Sequence, residues 1–169
     1  MSAPVHSSWI RLRVATNMGR FTAGYSGCGL AELRFPSVES AAITGPVESL
    51  PSQIKRWHRI TTDAVNEILA GCPPKCFPPL DLSGGTEFQQ SVWRAMLKIP
   101  PGQTRSYGEI AQAIGKPKAV RAVGGACGAN PIPVLVPCHR VLAAHRKLGG
   151  FSSGLDWKRK LLAREGVNF

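Results

Sequence analysis

No stretch of the 169-residue chain approaches the roughly 20 consecutive apolar residues that span a bilayer. Met1 to Trp9 has no apolar core of the kind a secretory leader carries. These two absences lead to the expectation of an intracellular protein, cytoplasmic or, in a eukaryote, nuclear, with no membrane partner. Internal repeats are also missing, which sets aside repeat architectures. Acidic residues are scarce, 10 Asp+Glu against 21 Lys+Arg, for a net charge of +11. The five cysteines are Cys28, Cys72, Cys76, Cys127 and Cys138. Their number is odd and no leader precedes them, so free thiols are expected instead of a disulfide framework. Cys72 and Cys76 sit in Gly71-Cys-Pro-Pro-Lys-Cys76, but no matching Cys or His pair follows at the spacing a four-ligand zinc site uses. They read as loop cysteines, and no metal is expected.

What the chain does have is enough apolar material, 43%, for a packed core, in one domain of ordinary size or two small ones. Its positive charge is unevenly placed. The first 85 residues hold 8 Lys+Arg against 6 Asp+Glu, and the remaining 84 hold 13 against 4. A basic balance alone speaks only for solubility. Its concentration in one half adds a field that attracts a polyanion, nucleic acid first among them.

Residues 9–15 alternate apolar and polar side chains, the period of a strand. Asn17-Met-Gly19 reads as a turn, and residues 20–25 and 29–35 as two more strands. Residues 36–50 read as loop. Ile54, Trp57, Ile60, Ala64, Val65, Ile68 and Leu69 fall at helical spacing, and Gly71 with Pro73-Pro74 stops that helix. Residues 72–85, rich in Pro and Gly, read as a linker or extended crossing segment, with a domain boundary near Gly84-Gly85. The second half opens on a capping box, Thr86-Glu-Phe-Gln89, followed by Phe88, Val92, Trp93, Met96 and Leu97 at helical spacing. A second capping box, Ser106-Tyr-Gly-Glu109, starts a short helix that Gly115 ends. Lys116-Pro117 then predicts a third helix, through about Ala129, and the pair makes a helix-turn-helix candidate. The fold expected is α+β: residues 1–84 form a small antiparallel sheet with a helix, and residues 85–169 a mostly helical domain.

The third helix is poor in long side chains, with Ala119, Ala122, Ala126 and Ala129 near one face and Arg121 as the one long cation in its middle. Such a face cannot make many long-reach base contacts. It suits either tight helix packing or close approach of a backbone. Beyond it, Val134-Leu-Val136 reads as a short buried strand, stiffened by Pro131, Pro133 and Pro137, that delivers Cys138 and His139. A thiol beside an imidazole can be a nucleophile with its base, because the thiolate is the reactive form. Adjacent Cys-His is by itself an unspecific signal.

The whole string is more telling. Pro137-Cys-His-Arg-Val141 after Asn130-Pro131, together with Arg121-Ala-Val-Gly-Gly125 and Leu161-Leu-Ala-Arg-Glu-Gly166, resembles the O6-alkylguanine-DNA alkyltransferases, also called methylated-DNA–protein-cysteine methyltransferases. The resemblance covers Thr86 to Gly166. It implies a ribonuclease-H-like first half, and irreversible, stoichiometric transfer of an alkyl group from guanine O6, or from thymine O4, to Cys138 after base flipping. It implies that His139 takes the thiol proton through a water, that Glu165 orients His139, that Asn130 braces the turn, and that Tyr107 assists flipping and donates to the departing guanine. Arg121 would fill the gap in the duplex, with Lys118, Ala119, Ala122, Gly124 and Gly125 against the minor groove. Val141, Phe151, Ser152 and Ser153 would form the base pocket. Three positions depart from common family residues: Ser153 stands in place of Gly, Val120 in place of Ala, and Gly128 where some members carry a second Arg. The resemblance further implies no cofactor, double-stranded DNA carrying O6-alkylguanine as partner, no obligate protein partner, and a monomer. The competing readings are a non-catalytic lesion sensor of the same fold, a helix-turn-helix regulator, and a cysteine hydrolase. The acceptor thiol speaks against the first and the shortage of polar side chains on the third helix against the second. No oxyanion hole is legible for the third.

Overall fold

The computed structural model describes residues 9–37, 45 and 49–168. Most of the stretch read as a 36–50 loop therefore lies outside the described residues. Strands β1 (Ile10–Thr16), β2 (Gly19–Tyr25) and β3 (Leu30–Arg34) form one antiparallel sheet in the order β1-β2-β3. The alternation seen in the sequence sets the register: Leu12 lies opposite Ala23 and Val14 opposite Phe21, all four buried. The hairpin turn is closed by Thr16, whose hydroxyl donates to Gly19 O at 2.7 Å and accepts from Met18 N at 3.1 Å. Helix α1 (Ser52–Leu69) lays Ile54, Trp57, Ala64, Val65, Ile68 and Leu69 into the core. The Pro-rich segment after it is extended. It joins the edge of β3 through Leu30 N to Pro79 O, 2.8 Å, and Asp81 N to Leu30 O, 2.7 Å.

The second half contains α2 (Glu87–Met96), β4 (Arg105–Ser106), α3 (Tyr107–Ala113), α4 (Val120–Gly128), β5 (Val141–Leu142) and α5 (Leu155–Arg164). Both capping boxes are formed, Thr86 with Gln89 and Ser106 with Glu109. β4 and β5 pair in parallel and tie the start of α3 to the segment after Cys138. The architecture is α+β, and among the described residues no helix is long and apolar enough to cross a membrane.

Two elements differ from their sequence reading. Helix α4 begins at Val120, with Ala119 as its uncapped first flank, instead of at Lys116–Lys118. Lys116 O already accepts from Ala119 N at 2.9 Å in a turn, and the ring of Pro117 removes the donor a longer helix would use. The apolar run Val134–Val136 is a tight turn, not a strand. Val134 has φ +75°, and Val136 N donates back to Ile132 O at 2.9 Å. Prolines at 131, 133 and 137 leave too few amide donors for a ladder, so hydrophobicity secures burial there without strand pairing.

One continuous core runs from Leu12 and Phe21 through Trp93, Ile132 and Val136 to Leu161. Trp157 of α5 packs its ring 5.7 Å from that of Phe21 and 4.8 Å from that of Phe35. Leu33 N donates to Pro131 O at 2.9 Å. The sheet thus supports the backbone that leads into Cys138.

Candidate active site

Asn130 fixes the approach to Cys138. Its side-chain amide donates to Val136 O at 2.8 Å, and its carbonyl oxygen accepts from Ile132 N at 3.0 Å. Both ends of the 130–136 turn are therefore held by one buried side chain. Cys138 N then donates to Val136 O at 2.8 Å across Pro137, and Cys138–Arg140 form a single helical turn with all three side chains buried.

Glu165, at the C-terminal flank of α5, is the hub of this turn. His139 Nε2 lies 3.0 Å from its Oε1. Arg140 Nε donates to both carboxylate oxygens at 3.1 Å and Nη2 to Oε1 at 2.8 Å, a forked arrangement that suits a planar guanidinium. Gly102 N adds a bond to Oε2 at 3.2 Å, and Arg140 Nη1 reaches Ile99 O. Burial works to raise the Glu165 pKa, but bonds from His139 and Arg140 and their charges outweigh it and hold the carboxyl at about 2. Glu165 is therefore ionised at neutral pH. Burial lowers the His139 pKa, against the pull of Glu165, so the imidazole is neutral. A neutral ring facing a carboxylate donates through Nε2, which leaves Nδ1 as the basic nitrogen. Nδ1 is buried and has no hydrogen-bond partner among the described residues.

The Cys138 thiol is raised by burial, with the Asn130 amide, the Lys158 charge and nearby backbone N–H groups pulling the other way. At rest it is a thiol in an environment already provided with groups that favour the anion. Lys158 is wholly buried, and its ammonium donates to Val141 O at 2.7 Å, to Gly150 O at 3.3 Å and to Leu148 O. Three carbonyls take its three protons. They join β5, which follows Cys138, to the 148–150 loop.

Cys138 opens on a cavity of about 390 Å³ bordered by Tyr107, Gly124, Cys127, Gly128, Phe151 and Ser152. Gly149, at φ +68°, lets Tyr107 lie close, because a Cβ there would stand 2.8 Å from the phenol oxygen. Burial raises the Tyr107 pKa, and any thiolate at Cys127 or Cys138 would raise it further, so the phenol keeps its proton. Of the four residues expected in a base pocket, Phe151 and Ser152 border this cavity. Ser153 does not; it borders a neighbouring groove with Trp9, Phe35 and Trp157. Val141 does not either, because its side chain is fully buried in the core.

On α4, Arg121, Ala122 and Gly125 are exposed, Gly124 is half-buried, and Lys118 and half-buried Ala119 precede the helix. The small-residue face read from the sequence is split. Ala126 is buried, its carbonyl taking the Trp93 indole N–H at 2.8 Å, while Ala122, Gly125, Gly128 and Ala129 remain outside. A Cβ at Gly124, Gly125 or Gly128 would meet nothing within 4 Å among the described residues. Packing against those residues thus does not require glycine at these positions.

Sequence reasoning gave Arg140 no partner and left out Lys158 and Cys127. Lys158 carried a usable signal. With Leu161, Leu162 and Glu165 it falls at i, i+3, i+4 and i+7, the buried stripe of a helix.

Residues 87–167 match the family described as 6-O-methylguanine DNA methyltransferase, DNA binding domain. Over nearly the whole length the fold superimposes on the Mycobacterium tuberculosis OGT crystallised in complex with DNA, at 41% identity and a TM-score of 0.75, covering 90% of each chain. The chain belongs to the O6-methylguanine-DNA methyltransferase family. Within that family it is 62% identical over 82 residues to a methylated-DNA–protein-cysteine methyltransferase of Methanosarcina acetivorans, 48% of this chain and 53% of the relative. It is 54% identical over 103 residues to that of Mycobacterium tuberculosis, 61% of this chain and 62% of the relative. The chain thus spans only about half to three fifths of the length of these curated relatives.

Proposed function

We propose that the protein repairs DNA by moving a methyl or larger alkyl group from guanine O6, or from thymine O4, onto Cys138, once and irreversibly. The observation that carries this is the buried series Cys138, His139 and Glu165, with an ionised carboxylate fixing a neutral imidazole next in the chain to a thiol. His139 Nδ1, through one water, takes the thiol proton as the imidazole charge is stabilised by Glu165. The thiolate displaces the guanine oxygen from the alkyl carbon in line, and the phenol of Tyr107 donates to the departing base. A thioether results. The thioether carbon–sulfur bond is stable to water, so the acceptor thiol is spent and the protein acts as a reagent without turnover.

Double-stranded DNA carrying the lesion is the partner. The target atom lies inside the stack, so the base must be flipped into the cavity beside Cys138. We read α3 and α4 as a helix-turn-helix set against the minor groove. Arg121 enters the duplex there, Lys118 and the Ala119 backbone lie by the phosphates, and Ala122, Gly124 and Gly125 permit close approach. We read residues 1–84 as a ribonuclease-H-like support domain and 85–169 as the acceptor domain, in a monomer of the cytoplasm or nucleus that needs no cofactor. The test is peptide mapping after incubation with a duplex carrying O6-methylguanine. The methyl group is expected on Cys138; tight binding with Cys138 unmodified would overturn the proposal.

A further inference from the structure

Cys127 is a buried thiol that the reaction above does not use. It projects from α4, while Cys138 sits on the turn across from it, and both border the same cavity of about 390 Å³. Its Sγ lies 3.6 Å from Sδ of the buried Met96. We propose that Cys127 is a second acceptor, reached through Cys138 whenever the transferred group carries its own leaving group, so that a 2-haloethyl lesion ends as an ethylene bridge between the two sulfurs. This rests on the reading of Cys138 as first acceptor.

The steps balance without oxidant or reductant. The bond from guanine O6 to carbon breaks as the Cys138 sulfur–carbon bond forms. The new thioether sulfur displaces the halide from the second carbon and closes a three-membered sulfonium ring. Cys127 sulfur attacks a ring carbon, one carbon–sulfonium bond opens, and a second thioether forms. The halide and the Cys127 proton leave as hydrogen halide. Burial pushes the Cys127 thiol up to about 12, the Cys138 charge raising it and Lys158 opposing. A Cys138 thioether, unlike the thiolate, carries no charge, so no Cys138 anion opposes ionisation of Cys127 after the first transfer. A thiol held in the same cavity also has the proximity advantage over solvent water.

The assay uses the full-length protein and a duplex with freshly prepared O6-(2-chloroethyl)guanine, beside one with O6-methylguanine. No Lys or Arg lies between Arg121 and Arg140, so trypsin releases Cys127 and Cys138 together in Ala122–Arg140. The expected product is that peptide with one ethylene unit and neither thiol open to iodoacetamide after denaturation. It should outnumber the hydroxyethyl product of water attack by roughly tenfold or more. All yields are taken relative to chains alkylated at Cys138. In Cys127→Ser the bridge should vanish in favour of hydroxyethyl on Cys138. A wild-type protein bearing hydroxyethyl or chloroethyl on Cys138 with Cys127 free, or Cys138 cross-linked to DNA, would overturn the inference and leave the proposed function intact. Failure to take up methyl at Cys138 would instead overturn the proposed function.

Discussion

The turn at 138–140 and the outer face of α4 border one cavity and are built by opposite means. At the turn, side chains are buried and bonded. Glu165 gathers His139, Arg140 and Gly102, and Lys158 satisfies three carbonyls. On α4 the useful property is the near absence of side chains, three glycines facing open space with Arg121 as the long exception. The first region fixes charge and geometry for chemistry. The second leaves room for a macromolecule to come close. Changes at the turn should therefore damage both stability and transfer, whereas changes on α4 should separate the two.

The largest effect is expected from Cys138→Ser, which should abolish alkyl uptake from duplex and from a free modified base alike, measured by protein mass. Glu165→Gln comes next. It leaves Arg140 buried without its anion, so urea unfolding should show a loss of about 3–5 kcal/mol. Transfer should fall with it, because His139 loses the charge that stabilises its protonated form. Retention of full stability would mean that the buried cluster adds nothing beyond packing.

The same cluster sets an acid limit. The Glu165 carboxyl is depressed from its ordinary 4.5 to about 2. Its contribution is present above pH 4.5 and is lost as pH falls toward 2, and at full strength the shift corresponds to about 3 kcal/mol. The His139 pKa is also lowered, from 6.5, so the unfolded chain gains a proton before the native one does as pH falls through 6.5. Both act in one direction. Stability followed by urea midpoint should decline from just above pH 6 downward, and His139→Gln should remove the upper part of that decline.

On α4 the predicted effects are smaller and separate repair from stability. Arg121→Ala should slow reaction with duplex by roughly tenfold, about 1.4 kcal/mol, and leave reaction with free O6-benzylguanine much less affected. Equal losses on both substrates would mean that Arg121 does not serve flipping. The smallest effect is that of Gly125→Ala. An alanine within an exposed helix should raise unfolding stability by about 0.5–1 kcal/mol, since its Cβ meets nothing, while duplex repair slows. A gain in stability with unchanged duplex repair would remove close backbone approach from the account.

Much of this was legible in the chain. Alternation placed β1, turn residues set off β2 and β3, and capping boxes placed α2 and α3, because these signals are local. The Val134–Val136 turn was not legible. Hydrophobicity reports burial but not whether amide donors find a ladder, and here Asn130 and three prolines decide otherwise. The array of His139, Arg140 and Glu165 spans more than 20 positions in the chain. Only the resemblance pointed to Glu165, since spacing alone pairs it with its helix neighbours. Ser153 and Val141 show the converse limit. Adjacency to Ser152 and to the Cys138 turn does not put a side chain into the cavity.

The most direct test of the account is a stoichiometric titration. The protein is incubated with increasing excess of duplex carrying isotopically labelled O6-methylguanine until uptake stops, and label per chain is counted. A plateau at one methyl per chain, unchanged by further substrate, is the predicted result. Continued repair beyond the amount of protein present would contradict it.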